Sequence, residues 1–302
     1  MSTKKEKFIF ASYFFEMLKS FSFLKHSSVL VLMIFSLINL EALSQTDDFS
    51  AKNQFYFYWG YNRSAYTKSD LTCVGPGYNF TMNDLQASDN PERFNPKVYF
   101  DPKKITIPQF NCRIGYFFGD HWGVSLGYDH MKYVMNNKQT IRLTGHIDDT
   151  INTSWTGNYS DQEMLTNTKY IHYENSDGLN YMRIEVNRVD ELLRKGKNDW
   201  FKLESQLGIA SGFMLSFNDF NFAGLHTRKT VSISGYGLSI HPGMRALFFD
   251  HIFLQANLAA GFIHQTRVQT RPDNNQSFAF QKFGYISPEV VFGCKWRFKR
   301  KT

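Results

Sequence analysis

The sequence lacks a long apolar run after its first 44 residues, and this absence excludes a membrane-spanning helix there. Such a helix needs roughly 18 or more consecutive apolar residues. Mean hydropathy is only −0.38, although aromatic residues make up 17% of the chain. Many aromatics without continuous hydrophobicity predict surfaces that are apolar at alternate residues only.

Cysteine is scarce, which excludes two kinds of small site. Cys73, Cys112 and Cys294 are odd in number and widely spaced, so they indicate neither a disulfide framework nor a set of metal ligands. Cys112 and Cys294 lie on apolar faces of predicted strands, where we expect buried small hydrophobic residues. The spacing of four acidic residues in one polar segment matches no calcium-binding loop, so we expect these residues to lie in a solvated loop. They are Asp148, Asp149, Asp161 and Glu163. No metal or cofactor is predicted.

Residues 1–44 have the pattern of a secretory signal segment. Two lysines precede an apolar core at 29–38, and a small-x-small site then predicts cleavage before Gln45. The segment is long for this class, and a start at Met17 would give a conventional length. A retained N-terminal anchor helix is the alternative. The mature chain, 45–302, is expected to form one domain, and lipid attachment is not expected because no cysteine follows the site.

The positive charge does not predict nucleic-acid binding. Net charge is +7 for the chain and about +5 without the leader, which carries five Lys and three Glu. An exported protein does not meet nucleic acid, so the simpler interpretation is a solvated surface that faces anionic lipid headgroups.

The clearest structural signal lies between Gln109 and Val134. Apolar residues occupy alternate positions on both sides of a short turn at residues 119–121, which predicts a β-hairpin with long strands. A three-residue loop would place Asn111 opposite Asp129, with Arg113 on the diagonal.

The same alternation recurs along the chain and predicts eight strands. The hairpin supplies two of them, and the other six are expected near residues 54–64, 178–187, 201–215, 232–248, 252–262 and 286–298. Connections alternate between short turns and long segments, of which the longest are 66–104 and 136–175. The first of these could hold a short hairpin of its own. Eight such strands predict an all-β, antiparallel, up-and-down meander that closes into a barrel.

The composition of the polar face predicts which face points inward. A soluble ligand-binding barrel would place the apolar face inside and a charge-rich face in water. Here the polar face carries Gly, Ser, Asn and Gln with isolated charges of both signs, which suits a narrow interior filled by side chains. The inward charges would form a network of ion pairs and hydrogen bonds, and conduction is not expected. The predicted network is Arg113, Asp129, Arg183, Glu185, Lys202, Glu204, His241, Arg245, Glu289, Lys295 and Arg297.

Aromatic residues collect at the strand ends that adjoin the short turns. If both termini lie on one side, these residues form a girdle at one membrane interface. The alternative is a soluble sandwich with aromatic core ends. The predicted girdle is Phe55, Phe57, Phe118, Trp122, Trp200, Phe201, Phe248, Phe253, Trp296 and Phe298.

Over about residues 54–298 the pattern resembles the small eight-stranded outer-membrane β-barrels of Gram-negative bacteria. The last strand ends on the aromatic residues Trp296 and Phe298, as in that class, although a basic tail follows them. Loops rich in Tyr and Asn resemble uncharacterised barrels of Bacteroidota. The resemblance implies a multi-pass outer-membrane protein with short periplasmic turns and long extracellular loops. It also implies contact with lipid and lipopolysaccharide and insertion by the barrel-assembly machinery.

The sequence is compatible with two functions. The first is a non-enzymatic barrel, structural or binding an extracellular protein or glycan through loops 66–104 and 136–175. The second is a lipid A deacylase or acyltransferase, because some barrels of this size are such enzymes. The deacylases use a His-x-Ser motif on the lipid-facing side, but the only such motif here, at 26–28, lies in the leader. Ser239-Ile240-His241 has the reverse order and faces inward, and outward-facing His130 could be partnered only by Ser and Thr of other strands. No catalytic residue is therefore predicted.

Overall fold

The computed structural model describes residues 49–297, except 94, 100, 102, 105, 106, 152, 153, 197 and 198. The predicted leader, 1–44, and Phe298 of the predicted girdle lie outside the described residues. No helix in the described part of the chain is both long and apolar enough to span a membrane.

Fourteen strands of the described chain form one antiparallel sheet. In chain order they are β1 (Phe55–Asn62), β2 (Ala65–Tyr66), β3 (Ser69–Gly75), β4 (Tyr78–Leu85), β5 (Ala87–Ser88), β6 (Phe110–Phe117), β7 (Trp122–Met135), β8 (Thr140–Ile147), β9 (Gly157–Leu165), β10 (Ile171–Lys195), β11 (Phe201–Phe222), β12 (Leu225–Phe248), β13 (Ile252–Gln269) and β14 (Phe278–Trp296). A short helix, α1, spans Pro96–Tyr99, and a 3₁₀ turn spans Asp149–Ile151.

Eight of these strands close into a ring, which we call the lower ring. Its order is β1, β6, β7, β10, β11, β12, β13 and β14, and β14 pairs with β1 to close it. Following Cα partners around the ring from Phe57 leads to Gly284, whereas Phe57 itself pairs with Cys294, so the ring closes with a stagger of ten residues. A stagger of this kind tilts the strands relative to the axis, typically by about 35–45°.

Above β1 and β6 the wall is continued by the two shortest strands. β2 pairs with β14 through Tyr66 and Tyr285, β5 pairs with β7 through Ala87 and Met135, and β2 and β5 pair with each other. They therefore fill the gap that β1 and β6 leave between β14 and β7.

The rest of the sheet, β3, β4, β8 and β9, continues from the far end of β14, and we call this part the cap. These strands lie within the segments that the sequence predicted as long loops. The prediction allowed a hairpin in the first segment, which β3 and β4 form, but it missed β8 and β9 in the second. The predicted strand at 178–187 is also only part of the 25-residue strand β10.

The interior has two layers of different chemistry. Under the cap, apolar side chains from β3, β4 and β8 pack against the far ends of β10, β11 and β14. Phe222 meets Tyr78 edge-on and Phe80 at a tilt, with ring centroids 5.0 Å apart in each pair. Cys73 lies in this core, where burial raises the pKa of its thiol. Inside the lower ring most buried side chains are polar or charged.

The outside of the lower ring is apolar and exposed. Ile114, Leu126 and Ile209 are 52%, 61% and 66% exposed, although each lies in the middle of a strand. The outward residues at corresponding positions of the ring are Phe57, Val124, Ile184, Val186, Leu207, Leu238, Ile240, Leu254, Val290 and Phe292. Cys294 shares this face and is exposed, and Cys112 is only half-buried, so the expectation that both are buried is wrong.

Candidate functional site

Eight buried charged side chains form a connected network inside the lower ring, and none of them is more than 3% exposed. They are Arg113, Asp129, Arg183, Glu185, Glu204, Arg245, Glu289 and Lys295. Four are basic and four are acidic, so their formal charges cancel. This balance matters because an unpaired charge in such an interior would cost several kcal/mol.

Asp129 is the centre of one half of this network. Its Oδ1 accepts from Arg113 at 2.6 Å, and its Oδ2 accepts from the Nε of Arg183 at 2.7 Å. The amide of Asn111 also donates to Oδ1, at 2.9 Å. Asn111 lies directly opposite Asp129 in the β6–β7 ladder, as the three-residue turn predicted.

The remaining acids of this half are held by different groups. Glu185 accepts from the guanidinium of Arg183, which also contacts Asp129. Amide donors bind Glu289, with Asn111 at 2.9 Å from one oxygen and Asn257 at 3.0 Å from the other. Asn111 therefore links Asp129 and Glu289, and the carboxylates share donors that lie on separate strands.

Glu204 organises the other half, which is nearer the short turns. Lys295 Nζ donates to its two oxygens at 2.6 and 2.8 Å, and Arg245 donates at 3.2 Å. Arg245 also donates to Gln206 and Gln255, at 2.8 and 2.6 Å. The amide of Gln255 in turn donates a hydrogen bond to Asn257 at 2.8 Å, so hydrogen bonds connect the two halves along the lumen.

Glycines provide the space for these long side chains. A methyl group at Gly127 would overlap the guanidinium of Arg113, and one at Gly208 would overlap the carboxylate of Glu185. The abundance of glycine on the polar face of the strands is thus explained by the volume of the network.

Two predicted members of the network lie elsewhere. Arg297 is exposed, and its guanidinium donates to the backbone oxygen of Ser50 at 3.0 Å, because the strand ends at Trp296. Lys202 faces inward but sits at the open end of the ring, where it pairs with Asp250 at 2.5 Å.

Of the predicted girdle residues that the structure describes, all except Phe253 lie on the outer face of the ring or in its short turns. Phe57, Phe118, Trp122 and Trp200 are 39–51% exposed. Phe55 stacks on Trp296, and Trp200 contacts Phe201 and Phe248. Phe253 is a correction: it is fully buried inside the ring, 4.4 Å below the guanidinium of Arg245, because it alternates with outward Ile252 and Leu254.

The serine–histidine pair inside the ring cannot act as nucleophile and base. His241 Nε2 lies 2.8 Å from Ser239 Oγ, and Arg183 lies 3.2 Å from His241 Nδ1. Because arginine can only donate, Nδ1 accepts and the ring proton is on Nε2. His241 therefore donates to Ser239 and cannot remove its proton. Both residues are also at most 5% exposed.

His130 has a partner that the sequence analysis did not consider. Its Nδ1 donates to Asn180 Oδ1 at 2.7 Å, and its ring stacks on Phe110. The expectation that only Ser and Thr could partner it is wrong, since the β7–β10 register sets Asn180 directly opposite. With 8% exposure, His130 is a buried structural residue.

Sequence analysis missed the neutral members of the network, Gln206, Gln255 and Asn257. They occupy the same face of their strands as the predicted charges, so the alternation of polar and apolar residues was sufficient to place them in the lumen. No group of three or more His, Cys, Asp or Glu within the described residues could hold a metal ion.

No protein-family model matches the sequence. No curated protein is significantly similar to it. The solved structures that resemble the fold include outer-membrane proteins.

Three such structures illustrate this similarity. The outer membrane protein OprG from Pseudomonas aeruginosa is 10% identical, with a TM-score of 0.36 over 82% of this chain and 97% of its own. Ail of Yersinia pestis is 11% identical, with a TM-score of 0.30 over 81% and 99%. The N-terminal β-barrel domain of OprF from Pseudomonas aeruginosa is 9% identical, with a TM-score of 0.29 over 81% and 98%. With TM-scores below 0.5, these similarities support no inference about this chain.

Proposed function

We propose that this protein is an integral outer-membrane β-barrel with a plugged polar lumen, which acts as a structural or surface-binding protein through its cap. The observation that carries the proposal is the inverted polarity of the lower ring. Leu126 is 61% exposed, while neighbouring Ser125 and Asp129 are buried, and the same inversion recurs around the ring. Soluble proteins do not leave such a band in water, because large exposed apolar patches favour association.

The dimensions of the ring agree with this role. A strand tilted by about 45° crosses the apolar part of a membrane in about 9–11 residues. Strand β7 carries its exposed apolar residues between Trp122 and Leu126 and its polar outward residue Lys132 further along, which fits such a crossing. Closure of the ring also pairs the backbone N–H and C=O groups at the strand edges, which must have hydrogen-bond partners in lipid.

The cap is the part that would meet a partner. Its outer face is a polar surface on which side chains bond across strands, with Thr72 to Thr81 at 2.8 Å and His146 to Asn158 at 2.7 Å. Such a surface suits an extracellular protein or a glycan. Lipid and lipopolysaccharide would surround the ring, and the barrel-assembly machinery would insert it after removal of the leader before Gln45.

A lipid-facing arginine tests this proposal. We expect Leu126→Arg to destabilise the protein in lipid vesicles by about 2–4 kcal/mol, because the charge would lie in the apolar layer. At an exposed position of a soluble protein the same change would cost less than about 0.5 kcal/mol. Urea unfolding followed by gel mobility measures the difference.

The matched control is Thr144→Arg, on the exposed face of the cap, which should change stability by less than about 0.5 kcal/mol. Equal stability of the Leu126→Arg variant and the parent protein would contradict a membrane location. Mass spectrometry of lipid A from cells with and without the gene provides a further test, since loss of an acyl chain only in its presence would favour an enzyme.

A further inference from the structure

The lower ring opens at its short-turn end into a cavity of about 220 Å³, which we call the vestibule. Its charged lining consists of Glu191, Arg194, Lys202, Glu204, Asp250 and Lys295. The first four lie on β10 and β11, which extend beyond the neighbouring turns. The vestibule is reached from the short-turn end and not from the apolar outside, because its lining residues face into the ring.

The N-terminal residues of the described chain form one wall of the vestibule. Ala51 is 1% exposed, and its N–H donates to the carbonyl of Asp120 at 2.8 Å. Ser50 donates to the carboxylate of Asp120 at 2.6 Å. These bonds tie the segment to the β6–β7 turn, and Phe49 and Ser50 of this segment line the cavity.

The basic residues of the vestibule have more donors than their acidic neighbours accept. An ammonium group carries three N–H donors and a guanidinium carries five. Lys202 donates to Asp250 at 2.5 Å, and Arg194 donates to Glu191 at 2.8 Å and lies 3.5 Å from Asp199. Within the described residues these bonds use one donor of Lys202 and the Nε–H of Arg194, and both side chains line the cavity.

The carboxylate on the floor, in contrast, is already occupied. Both oxygens of Glu204 accept from Lys295, and one also accepts from Arg245. A cation entering the vestibule would therefore compete with buried lysine and arginine for this carboxylate. An anion would instead receive the remaining donors of Lys202 and Arg194 through charge-assisted hydrogen bonds.

We propose that the vestibule binds a small phosphate-class oxyanion, held by Lys202 and Arg194 above the Glu204–Lys295 pair. The volume is sufficient, since a water molecule occupies about 30 Å³ of liquid, and the anion would replace several waters. Free phosphate and a phosphate monoester present the same oxygens, and both would reach the site as solutes. This site goes beyond the proposed surface-binding role and does not depend on what the cap binds.

Calorimetric titration of the folded protein in detergent with sodium phosphate tests the site, with sodium chloride at equal ionic strength as the reference. We expect saturable binding with a dissociation constant on the order of 1 mM, as a few charge-assisted hydrogen bonds provide. Lys202→Gln and Arg194→Gln should each weaken binding about tenfold or more. A second titration with glycerol phosphate distinguishes the sources, since a vestibule specific for the free ion would exclude the ester.

Lys195→Gln is the matched control, because Lys195 is an exposed neighbour of Arg194 on the same strand. It should leave phosphate binding unchanged. Lys202→Arg should retain phosphate binding, since it keeps the positive charge. Heat-dependent gel migration of both variants would show that a loss of binding in Lys202→Gln does not come from misfolding. Absence of saturable binding to the parent protein, or equal weakening by Lys195→Gln, would overturn the proposal.

Discussion

At the scale of single residues, Asp129 is the acid on which the lumen network depends most. It contacts Arg113 and Arg183, both of which are almost completely buried. Replacing it with asparagine would leave two guanidinium groups without their shared carboxylate. We therefore expect Asp129→Asn to lower the free energy of unfolding by about 3–5 kcal/mol, measured by urea titration in lipid vesicles.

The control for this prediction is Asp161→Asn on the cap. Asp161 also pairs with an arginine, Arg142, at 3.2 Å, but both side chains are about half exposed. Because water screens such a pair, the loss should be no more than about 1 kcal/mol. If the two variants lost the same stability, burial would not be what makes the Asp129 network important.

Individual residues show what alternation in the sequence can and cannot predict. The positions of Arg113 and Asp129 followed from strand period and turn length alone. The contact of Glu289 with Asn111 did not, because Asn111 lies on β6, which is distant in sequence from β14 and meets it only when the ring closes. Phe253 was misplaced because its aromatic type was given more weight than its position in the alternation.

At the scale of elements, the cap depends on its own apolar core. Phe80 is 1% exposed and contacts Tyr78 and Phe222. We expect Phe80→Ala to destabilise the cap by about 3–5 kcal/mol, as a large buried cavity does. Hydrogen exchange followed by mass spectrometry should show faster exchange in β3, β4 and β8.

The neighbouring residue Thr81 provides the control for this prediction. It lies on the same strand but faces outward, where it bonds to Thr72. Thr81→Ala should cost about 1 kcal/mol and leave exchange in the cap nearly unchanged. Faster exchange throughout the lower ring in Phe80→Ala would show that the cap and the ring do not open separately.

The edge of the cap has features that oppose pairing with another chain. β9 ends the order of strands, and it carries Asp161 and Glu163. Asp161 also has a positive φ of 57° at an irregularity in the β8–β9 register. Charges and bulges of this kind protect sheet edges from aggregation.

The cap strands show why a polar segment was predicted as loop. Apolar residues do alternate there, with Leu71 and Cys73 on β3 and Ile141 and Leu143 on β8 all buried. Each run is short and is followed by glycine or by polar residues, so it resembled connecting chain. Their faces are also reversed relative to the ring, since in the cap the apolar side points inward.

At the scale of the whole molecule, two layers close the interior. Ion pairs fill the lower ring, and the apolar core closes the far end under the cap. We expect the protein reconstituted in planar bilayers to show no single-channel steps, because the network of side chains and the core under the cap block the lumen above the vestibule. Regular conductance steps from correctly folded protein would contradict a plugged lumen. A porin of larger strand number, reconstituted in the same way, is the positive control.

The lower ring could be predicted from sequence because apolar and polar residues alternate regularly along its strands. The cap could not, since the pairing of β4 with β8 joins residues about 65 positions apart, as Phe80 and Gly145 show. Such pairings are set by tertiary packing and not by local preference.

The ladder between β1 and β14 has a consequence for the order of folding. It joins the first and last strands of the described chain, so the ring cannot close until its final segment arrives. Contacts so distant in sequence make folding slow. Until then β1 and β13 would both present open edges, which a bilayer does not tolerate. A chain that stops short of Phe278 would therefore keep the edges of β1 and β13 unpaired.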